Sequence, residues 1–296
     1  MPSMWSWSEV HPPYLAQRDR NCLAVEPLPG VSEPKIIGPS LGGYSDDRIR
    51  SSSSMNREYH RWYSHRLGRD MELLIFGHAG AKVLVFPTRD GRYHEYEDLR
   101  LTEALRHKID AGQLQLYCVD SIVGESLYCD WCHPADRIRR HSAFEDYVLN
   151  EVLPLMALKN PHPCTIAHGC SLGAFHAVNI ALRHPHLFRK IVAFSGRYDL
   201  TLEIDSFRDL FSGHREELTY FHSPAQFLVN LSCPERLAAM RSMDITLVVG
   251  NEDPFLVHNR WFSELLWAKG IWHALHVWDG RAHRGHDWRR MAPLYV

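Results

Sequence analysis

The chain has 296 residues, with 33 Lys and Arg against 35 Asp and Glu and a hydrophobic share of 45%. That length supports one large domain with a substantial core. A formal net charge of −2 offers no basic footprint for nucleic acid, and no apolar run approaches the ~20 residues of a membrane span.

Residues 1 to 54 carry scattered apolar residues, recurring Pro and Ser, and a closing Arg50-Ser51-Ser52-Ser53-Ser54. They are expected to form an extended or disordered arm. The functional domain is expected to begin near Met55. Met1 to Glu9 lacks the basic flank and apolar core of a secretory signal. The seven cysteines are irregularly spaced and do not form a disulfide framework, so the cytoplasm is the expected location.

From Met55 the pattern becomes globular. Glu58–His65 and Met71–Phe76 read as strands, with Gly77-His78 as a turn. The link between them is too short for a crossover, so they pair antiparallel. Lys82–Phe86 is a continuous apolar run, as in a buried strand. Tyr96–Ala111 reads as a helix, Gln115–Val119 as a strand, and Arg137–Leu158 as a long helix that Pro154 closes or kinks. Cys164–Ala167 is a strand and Ala174–Arg183 a helix. Strands follow at Lys190–Phe194, Ile245–Val249 and Ala274–Trp278, with helices at Asn259–Lys269 and from Trp288 onward. This alternation implies a mostly parallel central sheet with helices on both faces. Residues 199 to 240 break it, and read as a small helical insertion over the strand ends that shapes a pocket.

Between a strand and a helix stands Gly169-Cys170-Ser171-Leu172-Gly173. Gly-x-Ser-x-Gly in that context is a nucleophile elbow. The turn lifts a serine hydroxyl clear of its flanks, and the glycines remove the Cβ atoms that would crowd it. The following helix points free N–H groups at the reacting oxygen.

A serine needs a base, and the base needs an acid to orient it. In an α/β-hydrolase fold the chain order is serine, acid, histidine. Asp253, in Gly250-Asn251-Glu252-Asp253-Pro254 after a strand, is the expected acid; Glu252 and Asp199 are its competitors. Two histidines, His283 and His286, follow the last strand. His286 is the expected base, because Gly285 frees the backbone before it and Asp287-Trp288 anchors it at a helix start. A metal pair at His283 and His286 lacks a third ligand at recognisable spacing. The Leu172 N–H supplies one oxyanion donor, and the loop Pro87–Arg92 the other, from Thr88 or Arg89. Cys129-Asp130-Trp131-Cys132-His133 matches a haem-attachment pattern. It reads instead as a loop near the site rim, where Tyr128 and Trp131 contact substrate. Neither a metal nor an organic cofactor is implied.

These pieces, with Phe194-Ser195-Gly196-Arg197-Tyr198-Asp199, Asn259-Arg260 and Gly285-His286-Asp287-Trp288, resemble the putative-esterase family of α/β-hydrolases. That family includes esterase D-like enzymes, siderophore and feruloyl esterases and mycolyltransferases. The resemblance covers about residues 56 to 290. It implies a catalytic histidine in a Gly-Gly-His-Asp-Trp-like ending, here with Arg284 in place of the first glycine, and so again His286. Pro87-Thr88 stands where the family often has His-Gly, which moves the second oxyanion donor to the Arg89 N–H.

The expected function is hydrolysis of a small-molecule carboxylic ester through an acyl-enzyme on Ser171, His286 and Asp253. Acyl transfer to an alcohol uses the same site. A non-catalytic scaffold that binds a ligand or partner is the reading from a different class.

Overall fold

The computed structural model describes residues 55–296; the expected N-terminal arm, 1 to 54, lies outside the described residues. The chain from Met55 to Val296 forms one compact unit. Its strands are β1 (Arg57–Ser64), β2 (Arg69–Phe76), β3 (Ala81–Phe86), β4 (Leu114–Val119), β5 (Thr165–Cys170), β6 (Lys190–Phe194), β7 (Asp244–Gly250) and β8 (Ala274–Trp278). They make one eight-stranded sheet in the order β1-β2-β4-β3-β5-β6-β7-β8. β2 runs antiparallel to both β1 and β4. From β4 to β8 every pairing is parallel.

The continuous apolar runs have a simple cause. Successive side chains in a strand point to opposite faces, and both faces of this sheet are covered. Leu73, Ile75, Leu84, Ala167, Ile191 and Leu247 enter one core. Their neighbours Leu74, Phe76, Val83, Ile166, Val192 and Val248 enter the other. The first core is closed by α4 (Pro134–Tyr147), α5 (Leu153–Lys159), α6 (Leu172–Arg183), α8 (Pro224–Asn230), α9 (Pro234–Arg241) and α10 (Leu256–Ala268). The second is closed by α1 (Glu95–Asp98), α2 (Leu101–Ala104), α3 (Arg106–Asp110) and α11 (Gly285–Tyr295).

Two helices differ from the sequence reading. The expected helix over Tyr96–Ala111 is three short ones, broken at Arg100, which takes a left-handed φ of 56°, and again at Leu105. The long helix runs from Pro134 to Lys159 and widens into a π turn over Val148–Val152. Pro154 lacks an N–H and its ring crowds the preceding turn; the wider turn just upstream lets the helix continue past it.

The region 199 to 240 also divides. Leu200, Leu210 and Phe211 pack with Leu172 and Phe175 near the elbow. Ala225, Phe227, Leu228, Leu237 and Met240, from α8 and α9, belong to the main core instead. A further short helix, α7 (Glu217–Phe221), links the two parts. Among the described residues no helix is long and apolar enough to cross a membrane.

Several histidines are structural. His168 on β5 is sealed, with Nδ1 2.8 Å from the Val192 carbonyl and Nε2 3.0 Å from Tyr96 Oη. Nδ1 donates to the carbonyl, and in the neutral ring that burial favours Nε2 accepts from the Tyr96 hydroxyl. Burial lowers its pKa to about 4. Burial likewise lowers His258 to about 4 and His176 and His222 to about 3. An unfolded histidine titrates near 6.5, so below that pH the unfolded chain binds more protons than the folded one. Stability is therefore expected to fall as pH drops from 6.5 toward 4, by on the order of 3 kcal/mol for His168 alone. Urea unfolding at pH 7.5, 6 and 5 checks this; an unchanged midpoint over that range contradicts it.

Candidate active site

The elbow is built by contact between backbones. Ser171 sits between β5 and α6 with φ 54° and ψ −118°, a conformation that costs a non-glycine residue free energy and is held by its surroundings. Its N–H donates to the Phe194 carbonyl at 2.8 Å, tying the turn to the end of β6. A Cβ on Gly169 would lie 2.2 Å from the carbonyl carbon of Gly173, and one on Gly173 would lie 2.3 Å from the Phe86 oxygen. Both positions admit only glycine. The same contacts press the start of α6 against the loop that leaves β3.

That loop and α6 supply free amides. The first N–H groups of a helix have no partner within it, and Leu172 opens α6. In the loop, the Thr88 N–H is taken by Glu95 Oε2 at 2.8 Å, and the Thr88 hydroxyl also bonds Glu95. Thr88 is thereby withdrawn as a donor. The Arg89 guanidinium lies 4.4 Å from the centre of the Tyr128 ring.

The acid and the base loops are stitched together at the ends of β7 and β8. Asn251 N–H donates to Trp278 O at 2.7 Å, Glu252 N–H to Gly280 O at 3.1 Å, and Gly280 N–H to Asn251 Oδ1 at 2.8 Å. A Cβ on Gly250 would stand 2.2 Å from Arg281 O and 2.4 Å from Gly280 O. The close approach brings Asp253 to a histidine, but to His283: Asp253 Oδ2 and His283 Nδ1 are 2.8 Å apart. The carboxylate is sealed and the imidazole 12% exposed. Asp253 Oδ1 accepts the Phe255 N–H at 2.9 Å. Phe255 and Trp288 flank the His283 ring, each 5.7 Å away between centres.

His286, the expected base, is not brought to Asp253. Its side chain is 64% exposed and its Nδ1 is 3.1 Å from Asp287 Oδ1. The local arguments for it fail for physical reasons. Helix α11 already begins at Gly285, so His286 lies within its first turn. Gly285 is not in the left-handed region, and a Cβ there would meet only the end of the Leu99 side chain, 2.8 Å away, so the chain does not need glycine to turn there. The turn is made three residues earlier, by buried Ala282 at φ 50°. The Ala282 carbonyl accepts from Ser195 Oγ at 3.3 Å.

The competing acids are engaged elsewhere. Asp199 accepts from Thr201 N–H, Thr201 Oγ1 and Gln226 Nε2. Glu252 is exposed. In the Cys-x-x-Cys-His stretch, Cys129 and Cys132 form a disulfide, and His133 Nδ1 accepts the Ala135 N–H to cap α4. Among the described residues no group of three or more His, Cys, Asp or Glu is arranged to hold a metal ion.

A mostly parallel sheet with a serine on a strained strand-to-helix turn, and an acid–histidine pair after the last two strands, defines the α/β-hydrolase class. Comparison with known proteins gives the family. Residues 64–291 match the family model described as "Putative esterase", and the chain belongs to that esterase family. Among solved structures it is similar to an S-formylglutathione hydrolase from Agrobacterium tumefaciens, with a TM-score of 0.63 and 15% identity over 81% of this chain and 95% of that one. A ferulic acid esterase gives 0.62 and 15%, covering 80% and 95%. An enterobactin esterase from Shigella flexneri gives 0.50 and 21%, covering 79% and 56%. No curated protein matches the chain in sequence.

The docking of the two loops predicts a contrast between glycines. Gly250→Ala is expected to lower stability by about 1–3 kcal/mol, since its Cβ meets rigid backbone oxygens. Gly124→Ala, whose Cβ meets nothing within 4 Å, is expected to stay within about 0.5 kcal/mol. Thermal or urea unfolding of the two variants reads the difference, and equal stabilities contradict the packing argument.

Proposed function

We propose that this protein is a serine carboxylic-ester hydrolase in which Ser171 is the nucleophile, His283 the general base and Asp253 the residue that orients it. The observation that carries the reading is the 2.8 Å bond between His283 Nδ1 and the sealed Asp253 carboxylate. It fixes the tautomer with the proton on Nδ1 and leaves Nε2 free to accept. Ser171 Oγ attacks the ester carbonyl as its proton passes to His283 Nε2. The tetrahedral oxyanion is held by the Leu172 and Arg89 N–H groups. Collapse expels the alcohol, which takes the proton from His283. Water repeats the sequence and frees the acid.

The engagement of Thr88 with Glu95 supports Arg89 as the second donor. Family membership supports an ester of a small molecule as the substrate. On this reading residues 55–296 are the functional unit, and protein starting at Met55 is expected to retain turnover.

Ser171→Ala is expected to lower kcat for a 4-nitrophenyl ester by about 10⁴-fold or more with the fold retained, since no other group forms the acyl-enzyme. A fluorophosphonate probe should label the wild type at Ser171. A binding scaffold would take no label. An alcohol added to the assay that diverts the acyl group into a new ester at the expense of free acid would identify a transferase instead.

The two histidines separate in the same assay. His283→Ala is expected to lose several orders of magnitude in kcat, and His286→Ala about tenfold or less, as for a residue that makes no contact with the transition state. Circular dichroism controls for folding. The reverse pattern assigns the base to His286, and two active variants end the triad reading.

A further inference from the structure

Two arginines near the elbow are buried without a carboxylate. Arg137 on α4 is 6% exposed and donates from all three nitrogens to backbone carbonyls: Nε to Cys132, Nη1 to Leu210 and Nη2 to Asp130, at 2.9 to 3.1 Å. It is a structural clamp between the rim loop and the insertion. Arg197, three residues past β6, is 4% exposed and does only part of that work. Its Nε donates to Asp199 O at 3.1 Å, and its Nη2 to Leu200 O at 2.7 Å and Arg208 O at 2.9 Å. Among the described residues its Nη1 has no protein partner, and that atom is not sealed from solvent.

Carbonyl dipoles satisfy the donors of Arg197 without neutralising its charge. The nearby carboxylates are committed: Asp199 to Thr201 and Gln226, and Asp209 to the Phe211 and Gly213 amides and to Arg215. Burial pulls the Arg197 guanidinium below the ordinary arginine value, against the opposing influence of Tyr128, Asp199 and Asp209. An uncompensated buried charge is costly, and a ligand of opposite charge relieves that cost.

The location points to the substrate. Arg197 leaves β6 just beyond Phe194, whose carbonyl holds the Ser171 N–H. Burial pushes the Tyr128 phenol above its ordinary value, and Arg197 and Arg89 oppose that rise. Arg89 itself lies on the Tyr128 ring. The loops after β3 and β6, on either side of the elbow, thus each carry a guanidinium whose charge reaches Tyr128.

We propose that Arg197, through its unused Nη1, binds a carboxylate of the substrate, so that the preferred substrates are esters with a free carboxylate on the acyl or the alcohol portion. This rests on the hydrolase reading of Ser171 and narrows it. Guanidinium and carboxylate match in charge and in planar geometry, and charge-assisted bonds of this kind are about twice as strong as neutral ones.

The test compares matched esters. On the acyl side, 4-nitrophenyl hydrogen glutarate is set against 4-nitrophenyl pentanoate. On the alcohol side, 4-carboxyphenyl pentanoate is set against its 4-carbamoylphenyl counterpart. In one arm the wild type is expected to favour the anionic ester by about tenfold or more in kcat/KM, with added salt reducing the ratio. Arg197→Gln should collapse that ratio and Arg197→Lys restore part of it. Glutarate titrated calorimetrically into Ser171→Ala protein should bind, independently of turnover. Should Arg197→Gln fail to fold, the wild-type ratios and this titration still decide. Neutral esters favoured in both arms, or a ratio unchanged in a folded Arg197→Gln variant, overturn the anion site. Turnover of neutral esters alone leaves the hydrolase reading standing without it. Glutarate binding with no ester turned over leaves the site standing and removes the hydrolase reading.

Discussion

The structure depends on how closely three pieces of backbone approach one another at the centre of the sheet. Gly169, Gly173 and the Phe86 carbonyl occupy space that a single methyl group would fill. Because they touch, α6 starts directly against the end of β3, and the loop that carries Arg89 leaves from the same point. The strained conformation of Ser171 is the geometric cost of this packing. It persists because a hydrogen bond to β6 and buried neighbours on both faces leave the turn no alternative.

A second close approach organises the other half of the site. Gly250 lets the chain after β8 lie on the end of β7, and two backbone bonds and one to the Asn251 side chain hold it there. Asp253 and His283 are thereby fixed to one another before either meets the serine. The acid–histidine pair is a single rigid piece mounted on the last two strands, while Ser171 is mounted on the central ones. Parallel strands β6 and β7 connect the two pieces, and their alternating side chains, Ile191 and Leu247 on one face and Val192 and Val248 on the other, keep the spacing constant from both sides.

Much of this was legible in the chain. Lys190–Phe194 and Ala274–Trp278 have the same ends in sequence and structure, because apolar runs between turn residues allow little else. The elbow was legible because its glycines, its serine and the steric reason for both lie within five residues. Which of His283 and His286 meets Asp253 was not, because the pairing is set over a distance. Gly250 admits the loop at Gly280–Arg281 some thirty positions later, and nothing near either histidine records that. The residues around His286 carry no record of that pairing for the same reason. Gly285 reads as a hinge, yet it has no left-handed φ, and the turn is made by Ala282. The break at Arg100 had no signal either, since arginine is an ordinary helix former, yet here it takes a left-handed φ.

The π turn in the long helix carries a consequence for how this sequence tolerates change in length. Phe144, Val148, Val152 and Met156 are all buried and repeat every four residues. In an α-helix each such step drifts by about 40° around the axis, so the row would turn away from the core by about 120° over its length. The wider turn at Val148–Val152 absorbs that drift and keeps the row in line. It amounts to one surplus residue held in the wall of the helix. Removing a residue there returns the segment to ordinary α-helix at the expense of its register with the sheet. The same deletion anywhere else along the helix offers the chain no such reserve.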